Sequence, residues 1–99
     1  MSRAEREGPT SYETKLKTSK AFHDALENLE VDSGIRTHGT VKGKKSFIFI
    51  TRHSGRYFLW LRPVDAKGNP GTFRDFGQFS ELRRFLDPIV EAPIRASLY

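Results

Sequence analysis

The sequence contains no cysteine and no long apolar run. The first absence excludes a disulfide framework and a thiolate metal site. The second excludes a membrane-spanning helix, which needs roughly 20 apolar residues. Residues 1–10 are charged and lack the apolar core of a secretory signal. We therefore expect a soluble intracellular protein, located in the cytoplasm or in a nucleoid or nucleus.

Acidic residues are missing from one long segment. Residues 35–64 hold seven Lys or Arg and no Asp or Glu, whereas residues 1–34 have five bases against seven acids and residues 65–99 have five against five. The formal net charge of +5 is therefore −2, +7 and 0 along the chain. A merely solvated surface mixes both signs, so this basic block indicates a polyanionic partner that binds in a salt-dependent way.

Motifs for catalysis and cofactor binding are also missing. The chain has no GxxxxGK[ST] or GxGxxG loop, and its C-terminal acids lie on separate predicted elements. The histidines, His23, His38 and His53, lack metal-ligand spacing. His38 and His53 on adjacent strands are the one arrangement that would suit an acid–base ribonuclease. The sequence predicts a non-enzymatic protein with no cofactor, no metal and no small-molecule substrate.

Length and composition predict one small domain. The 99 residues are 36% hydrophobic and 29% charged, which suits a single modest core. Residues 1–9 alternate in charge and indicate a flexible leader, and residues 93–99 are expected to form a C-terminal tail, since Pro93 blocks a helix. The predicted domain, residues 10–92, is α+β: an N-terminal helix, an antiparallel sheet of three to four strands around a central hairpin, and a C-terminal helix on one face.

An apolar stripe at helical spacing predicts the first helix. Its members are Tyr12, Leu16, Ser19, Phe22, Leu26 and Leu29. The spacing predicts a helix over residues 11–31. Thr10 and Glu13 fit a capping box at its start, and Gly34 suits the left-handed turn after its end.

A second stripe predicts the C-terminal helix. Its members are Leu82, Phe85, Leu86, Ile89 and Val90. We expect a helix over residues 80–90 with Ser80 as N-cap. Pro88 lies inside this pattern and should end or kink the helix near Asp87, because proline removes a donor and crowds the preceding turn.

The basic block carries the strand signals. Alternation from Ile35 to Lys42 predicts a half-exposed strand that ends at a turn around Gly43. Two apolar runs, residues 44–53 and 56–64, flank Ser54-Gly55 and predict a β-hairpin. A loop of turn formers over residues 65–71 precedes a fourth short strand over 72–79.

A symmetric turn at Ser54-Gly55 fixes the hairpin register. The expected opposing pairs are His53–Arg56, Thr51–Phe58, Phe49–Trp60 and Phe47–Arg62. Since successive side chains of a strand point to opposite faces, one face is aliphatic and suits cover by a helix. Its members are Ile48, Ile50, Leu59 and Leu61, flanked by Arg52 and Tyr57. The other face mixes aromatic rings with cations.

This second face predicts a nucleic-acid site, because single strands bind where rings stack on bases and cations meet phosphates. The predicted binding residues are Lys42, Lys44, Lys45, Phe47, Phe49, Arg52, His53, Arg56, Phe58, Trp60 and Arg62. Two structural explanations stand beside this hypothesis. The rings would equally suit a second core layer under a helix or at a dimer interface, and the lysines would suit a solvated strand edge.

Residues 44–90 also carry a resemblance. Strands at 45–53 and 57–63, a loop at 65–71, a strand near 72–79 and a helix at 80–90 resemble the single-stranded nucleic-acid-binding proteins of the positive-cofactor-four, Pur-type and Whirly group. The similarity is one of layout and residue type. It implies a homodimer whose strands present a nucleic-acid groove and whose helices pack together. It also implies binding by Lys45, Phe47, Phe49, Arg56, Phe58, Trp60 and Arg62.

Other functions fit the same composition. Aromatic residues and Arg are enriched at protein–protein hot spots, so the alternative is a small interaction module or regulator whose face docks on an acidic protein. The face would also suit self-assembly of a structural subunit. DNA and RNA are not distinguished, and duplex binding stays open because a two-stranded ribbon can enter a major groove.

Overall fold

The computed structural model describes residues 14–65, 68 and 70–99. The predicted leader, Tyr12 and the capping box at Thr10 and Glu13 lie outside the described residues. Within them, six antiparallel strands form one sheet and only two short helices accompany it. The predicted α+β fold with a sheet of three to four strands is therefore wrong: the described chain is mostly sheet.

The strands follow the chain except at one edge. They are β1 Thr14–Leu16, β2 Gly34–Val41, β3 Lys44–His53, β4 Arg56–Pro63, β5 Thr72–Phe76 and β6 Ala96–Leu98, and the helices are α1 Ser19–Glu27 and α2 Phe79–Leu86. Their order in the sheet is β1-β6-β2-β3-β4-β5. Strands β2 to β5 form a meander, and β6 returns from the end of the chain to lie between β1 and β2.

The two additional strands occupy segments that were predicted otherwise. Residues 14–16 were expected in the first helix and residues 93–99 in a tail, but Lys15 pairs with Ser97 and Leu16 with Ala96. Strand β6 also pairs with β2. A strand of three residues is too short to show alternation, and its partner here is some 80 positions away in sequence. Local patterns therefore could not reveal this edge of the sheet.

Helix α1 starts later than predicted. Its N-cap is Thr18, whose hydroxyl accepts a hydrogen bond from the backbone N–H of Ala21 at 3.0 Å. It ends at Glu27, where the Asn28 side chain donates to the carbonyl of Asp24 at 2.9 Å. The predicted range 11–31 was too long at both ends. At the start, residues 14–16 pair with β6 as a strand and are therefore not helical.

Helix α2 ends where proline predicts. It spans Phe79–Leu86, so the stop near Asp87 before Pro88 is confirmed. Its N-cap is Gln78 rather than Ser80, and the Gln78 side chain makes no capping hydrogen bond. Val90, predicted to be helical, instead forms an isolated bridge with Gly39 of β2.

The predicted hairpin register is confirmed. Phe47 opposes Arg62, Phe49 opposes Trp60, Thr51 opposes Phe58 and His53 opposes Arg56. Both residues of the Ser54-Gly55 turn have positive φ, 52° and 78°, which is the two-residue turn that matches strand twist. Lys42 and Gly43 make the same kind of turn between β2 and β3, with φ of 51° and 81°.

Both helices pack on the same side of the sheet. A single core joins helix residues Phe22, Leu26, Leu82 and Leu86 to strand residues Ile35, Ile48, Ile50, Leu59 and Leu61. Burial of one such side chain contributes about 1.5–3 kcal/mol. The aliphatic face of the hairpin is therefore the core, and its other face is left for the candidate site. None of the described helices is long and apolar enough to span a membrane.

Gly39 permits a close approach of the chain after α2 to strand β2. The carbonyl of Ile89 accepts from the N–H of Thr40 at 2.8 Å, and the carbonyl of His38 accepts from the N–H of Glu91 at 2.9 Å. A Cβ at Gly39 would overlap the Ile89 carbonyl oxygen and lie 2.7 Å from Cδ1 of Ile48. The backbone crossing therefore requires glycine at this position.

Gly39→Ala should lower the free energy of unfolding by about 1–3 kcal/mol, since the added methyl group overpacks a buried crossing. Urea denaturation measures the change. Thr40→Ala is the control, because that side chain is exposed on the same strand and should cost less than about 1 kcal/mol. Equal losses for the two variants would contradict the role given to Gly39.

Candidate nucleic-acid interface

The side of the sheet opposite the helices presents aromatic and basic side chains, which we call the open face. Its members on β2 to β5 are Arg36, His38, Thr40, Lys45, Phe47, Phe49, Thr51, His53, Arg56, Phe58, Trp60, Arg62, Phe73 and the acidic Asp75. Both α1 and α2 pack on the other side, so neither makes a second core layer here. Phe58 is 39% and Phe73 71% exposed.

Three rings form a stack across adjacent strands, and we call Phe49, Trp60 and Phe73 the ring row. Phe49 and Trp60 have centroids 5.1 Å apart and planes at 29°, and Trp60 and Phe73 have centroids 5.7 Å apart and planes at 3°. Because β4 lies between β3 and β5, the two phenylalanines cover opposite faces of the indole. Trp60 is thus held inside the stack, and the accessible ring end is Phe73.

A hydrogen bond fixes the indole in this position. Its Nε1–H donates to the carbonyl of Pro70 at 2.7 Å, in the segment that leads into β5. The hydrogen bond satisfies the polar N–H of a ring that is otherwise packed between two phenylalanines. Gly71 lies close to this hydrogen bond and has a φ of 89°. A Cβ on this residue would lie 2.8 Å from the same Nε1. The chain before β5 is therefore shaped around Trp60.

Direct cross-strand neighbours continue the ring row to the far edge of the sheet. Beyond Phe49 they are Arg36 on β2, Ser97 on β6 and Lys15 on β1. We call the whole line from Lys15 on β1 to Phe73 on β5 the cross-strand row. At about 4.8 Å per strand, it spans roughly 24 Å. One end of the row is cationic and the other aromatic, which is the pairing of groups that a nucleic-acid strand needs.

The cationic end opens into a cavity, which we call the basic groove. Its volume is about 570 Å³, and its lining includes the cations Lys15, Lys17, Arg36, Arg62 and Arg95. Phe47, Phe49 and His38 line it from the sheet. The Lys15 ammonium group donates to the Ser97 hydroxyl at 3.4 Å, and the guanidinium of Arg36 lies 5.3 Å from the Tyr99 ring centroid.

Acidic residues from outside the basic block offset part of the positive charge of the open face and of the basic groove. Arg56 donates to the carboxylate of Asp75 on β5 at 2.8 Å, and Arg95 donates to both oxygens of Glu91 at 2.9 and 3.3 Å. The bond from Arg95 lowers the pKa of Glu91 below its ordinary value, and the nearby charge of Lys45 acts in the same direction. Glu91 therefore stays ionised, and its ion pair with Arg95 and the ion pair of Asp75 with Arg56 make these two arginines less available to an added anion.

Three of the predicted binding residues lie away from the open face. Lys42 is in the turn between β2 and β3, and Lys44 opposes Val41 on the helix side of the sheet. Arg52 also points to the helix side, where it donates to the carbonyl of Leu29 at 3.3 Å and lies 4.7 Å from the ring centroid of Tyr57. Arg52 therefore has a structural role beside the segment that follows α1.

The remaining predicted residues are brought together on the open face. They are Lys45, Phe47, Phe49, His53, Arg56, Phe58, Trp60 and Arg62. Arg62 lies 5.9 Å from the Trp60 ring centroid, and His53 makes an edge contact with Phe58 at 6.4 Å. The hairpin register thus placed these eight side chains on one face, as predicted.

The histidines do not form a catalytic pair. His38 opposes Phe47 near the start of β3, whereas His53 ends that strand opposite Arg56. His23 instead contacts the carboxylate of Asp87 at 3.3 Å. Over the described ranges, no group of three or more His, Cys, Asp or Glu is placed to hold a metal ion.

Sequence reasoning missed several members of the site. Phe73 could have been found, because alternation along 72–76 puts it beside Trp60 once β5 pairs with β4. Arg36 and His38 belong to the strand that alternation predicted over residues 35–42, but this strand was not joined to the hairpin. Lys15 and Lys17 gave no signal, since they were assigned to the first helix.

Phe73→Ala should shift the fluorescence emission of Trp60 to longer wavelength, because the variant exposes one indole face to water. Trp60 is the only tryptophan, so the emission maximum reports on the ring row alone. Val64→Ala is the control, since Val64 is an exposed apolar residue outside the row. An unchanged maximum in Phe73→Ala would contradict the stacked arrangement.

The chain matches no protein-family model, no curated protein and no solved structure. The resemblance to the positive-cofactor-four, Pur-type and Whirly group stays a prediction from layout.

Proposed function

We propose that this protein binds single-stranded nucleic acid on the open face of its sheet, as a non-enzymatic binding domain. The observation that carries the proposal is the continuous row from Lys15 through Arg36 and Phe49 to Phe73. This row combines cations, which suit phosphates, with exposed rings, which suit bases. Both lie on the side of the sheet that the described helices leave uncovered. Both kinds of contact are needed for sequence-tolerant binding of single strands.

The ring row defines where bases would stack. Trp60 is covered by Phe49 and Phe73, so a base meets the outer face of Phe73 or the ring of Phe58 rather than the indole. Trp60 then fixes the orientation of the Phe73 ring by stacking against its inner face. Stacking on a phenyl ring discriminates weakly among bases, so sequence preference should be modest.

The width of the sheet favours single strands over duplex. The β3–β4 hairpin is flanked by β2 and β5, so it is not a free two-stranded ribbon. A major groove is about 12 Å wide, whereas the cross-strand row spans roughly 24 Å. Stacking on Phe73 also requires a base whose face is free, which paired bases in a duplex do not offer.

A fluorescently labelled thymidine dodecamer should bind with an affinity that falls steeply with salt. With about four phosphate contacts, the association constant should drop roughly 50-fold between about 50 and 200 mM salt, because each contact adds about 0.7 to the logarithmic salt slope for single strands. Fluorescence anisotropy measures the binding. Absence of binding at low salt, to both the DNA and a uridine dodecamer, would overturn the proposal.

Phe73→Ala should weaken binding of the same oligonucleotide about 5- to 150-fold, the equivalent of the 1–3 kcal/mol measured for base–ring stacks. The salt slope should stay the same, because the variant removes no cation. Val64→Ala serves again as the matched control and should leave affinity unchanged. An affinity loss in both variants would point to a general effect on the fold.

A protein-docking surface is the second candidate, favoured by the exposure of Phe73 and Phe58. Such a dock would gain its affinity from apolar burial and would be far less sensitive to salt than phosphate binding. Self-association through the same rings would make the Trp60 emission depend on protein concentration. The homodimer implied by the resemblance stays a prediction, which sedimentation equilibrium tests directly.

A further inference from the structure

We infer that the basic groove is a nucleotide pocket, which takes one phosphate-bearing unit of the bound strand with its base against Phe47 or Phe49. This inference rests on the proposed function and gives it a defined anchoring point. The groove extends from Lys15 on β1, five strands from Phe73, to Phe49 on β3, where it meets the ring row. A strand anchored there has its following bases directed along the row towards the ring end.

The size and lining of the groove suit a nucleotide. Its volume of about 570 Å³ lies inside the roughly 300–1,000 Å³ range of small-molecule sites. Leu16, Ile94 and the rings of Phe47 and Phe49 supply apolar walls. An inorganic anion would leave those walls unused, whereas a base would cover them, so the favoured ligand has an aromatic body as well as charge.

The charge of the groove suits a phosphate. Its cations come from four separate strands or their flanking segments, and within the described residues no Asp or Glu lines it. Lys15 and Lys17 are exposed, and an ammonium group has three donors. Among the described residues Lys15 donates one bond, to Ser97, which leaves donors on Lys15 for phosphate oxygens. Charge-assisted bonds of this kind are the stronger ones.

Lys15 and Lys17 are assigned to the phosphate because the other groove cations have more contacts. Arg95 is held by Glu91, and Arg36 and Arg62 lie over rings. Lys17 directly follows β1, and Lys15 is in it. The pairing of β1 with β6 is thus what brings a phosphate-binding edge to the aromatic face.

Competition by small ligands tests the pocket. Adenosine monophosphate should displace the labelled dodecamer at low salt. Adenosine lacks the phosphate and inorganic phosphate lacks the base, so each should compete at least about tenfold less well. Phe73→Ala should weaken the dodecamer more than adenosine monophosphate, and Val64→Ala, which lies outside the basic groove and the ring row, should change neither affinity. This contrast separates the groove from the ring end at Phe73.

Lysine variants test the assignment of the phosphate. Lys15→Ala and Lys17→Ala should each weaken adenosine monophosphate about tenfold and reduce the dodecamer salt slope by about 0.7, the contribution of one phosphate contact. Lys20→Ala is the matched control: it removes the same charge from α1, where Lys20 pairs with Asp24 at 2.8 Å, and should change neither quantity. Lys17 lies outside the described strands, so a loss of strand pairing by β1 would not explain the effect of Lys17→Ala.

The outcomes separate the pocket from the function. If the dodecamer binds but adenosine monophosphate does not compete, or if both groove lysines behave like Lys20, the pocket is overturned and the proposed function survives. If adenosine and adenosine monophosphate compete equally, the phosphate assignment is overturned. If neither the dodecamer nor the nucleotide binds, both proposals fail. If only the nucleotide binds, the pocket is not part of a strand-binding site and the inference is overturned with the proposed function.

Discussion

The burial of one aliphatic face determines the rest of this structure. Ile48, Ile50, Leu59 and Leu61 alternate with aromatic and basic residues along β3 and β4, so a sheet that buries the first set must direct the second set to its other side. Helices α1 and α2 both cover the aliphatic side. A one-residue slip of the hairpin would place charge in the core and aliphatic residues in water, so the same register secures both the core and the open face.

The second constraint is the meeting of the chain's first and last described strands. Strands β1 and β6 have three residues each and neither would be stable alone, but together they extend the sheet beyond β2. Their pairing adds Lys15 to the row that ends at Phe73 and forms the basic groove together with Arg36 of β2 and the rings of β3. The small edge is therefore what turns a flat aromatic surface into a surface with a cavity.

Electrostatics on this face depends on contacts between distant segments. The basic block contains no acid, yet Asp75 from β5 holds Arg56 and Glu91 lies near Lys45. An exposed ion pair contributes little to stability, about 0–1 kcal/mol, but it makes Arg56 a poorer phosphate ligand. The exposed lysines Lys15 and Lys17 lie at the β1 edge of the sheet, whereas the most exposed rings, Phe58 and Phe73, lie on β4 and β5.

The sequence by itself determined the hairpin, its register and the separation of aliphatic from aromatic faces, because these follow from alternation and from the two residues of a turn. It also determined that α2 stops before Pro88. Only the tertiary structure decided the class of fold, the start of α1 at Ser19, and the positions of Lys15, Phe73 and Arg52 relative to the open face. The reason is physical: strand pairing joins residues such as Lys15 and Ser97 that are far apart in the chain, and three-residue strands have too few positions to show a period.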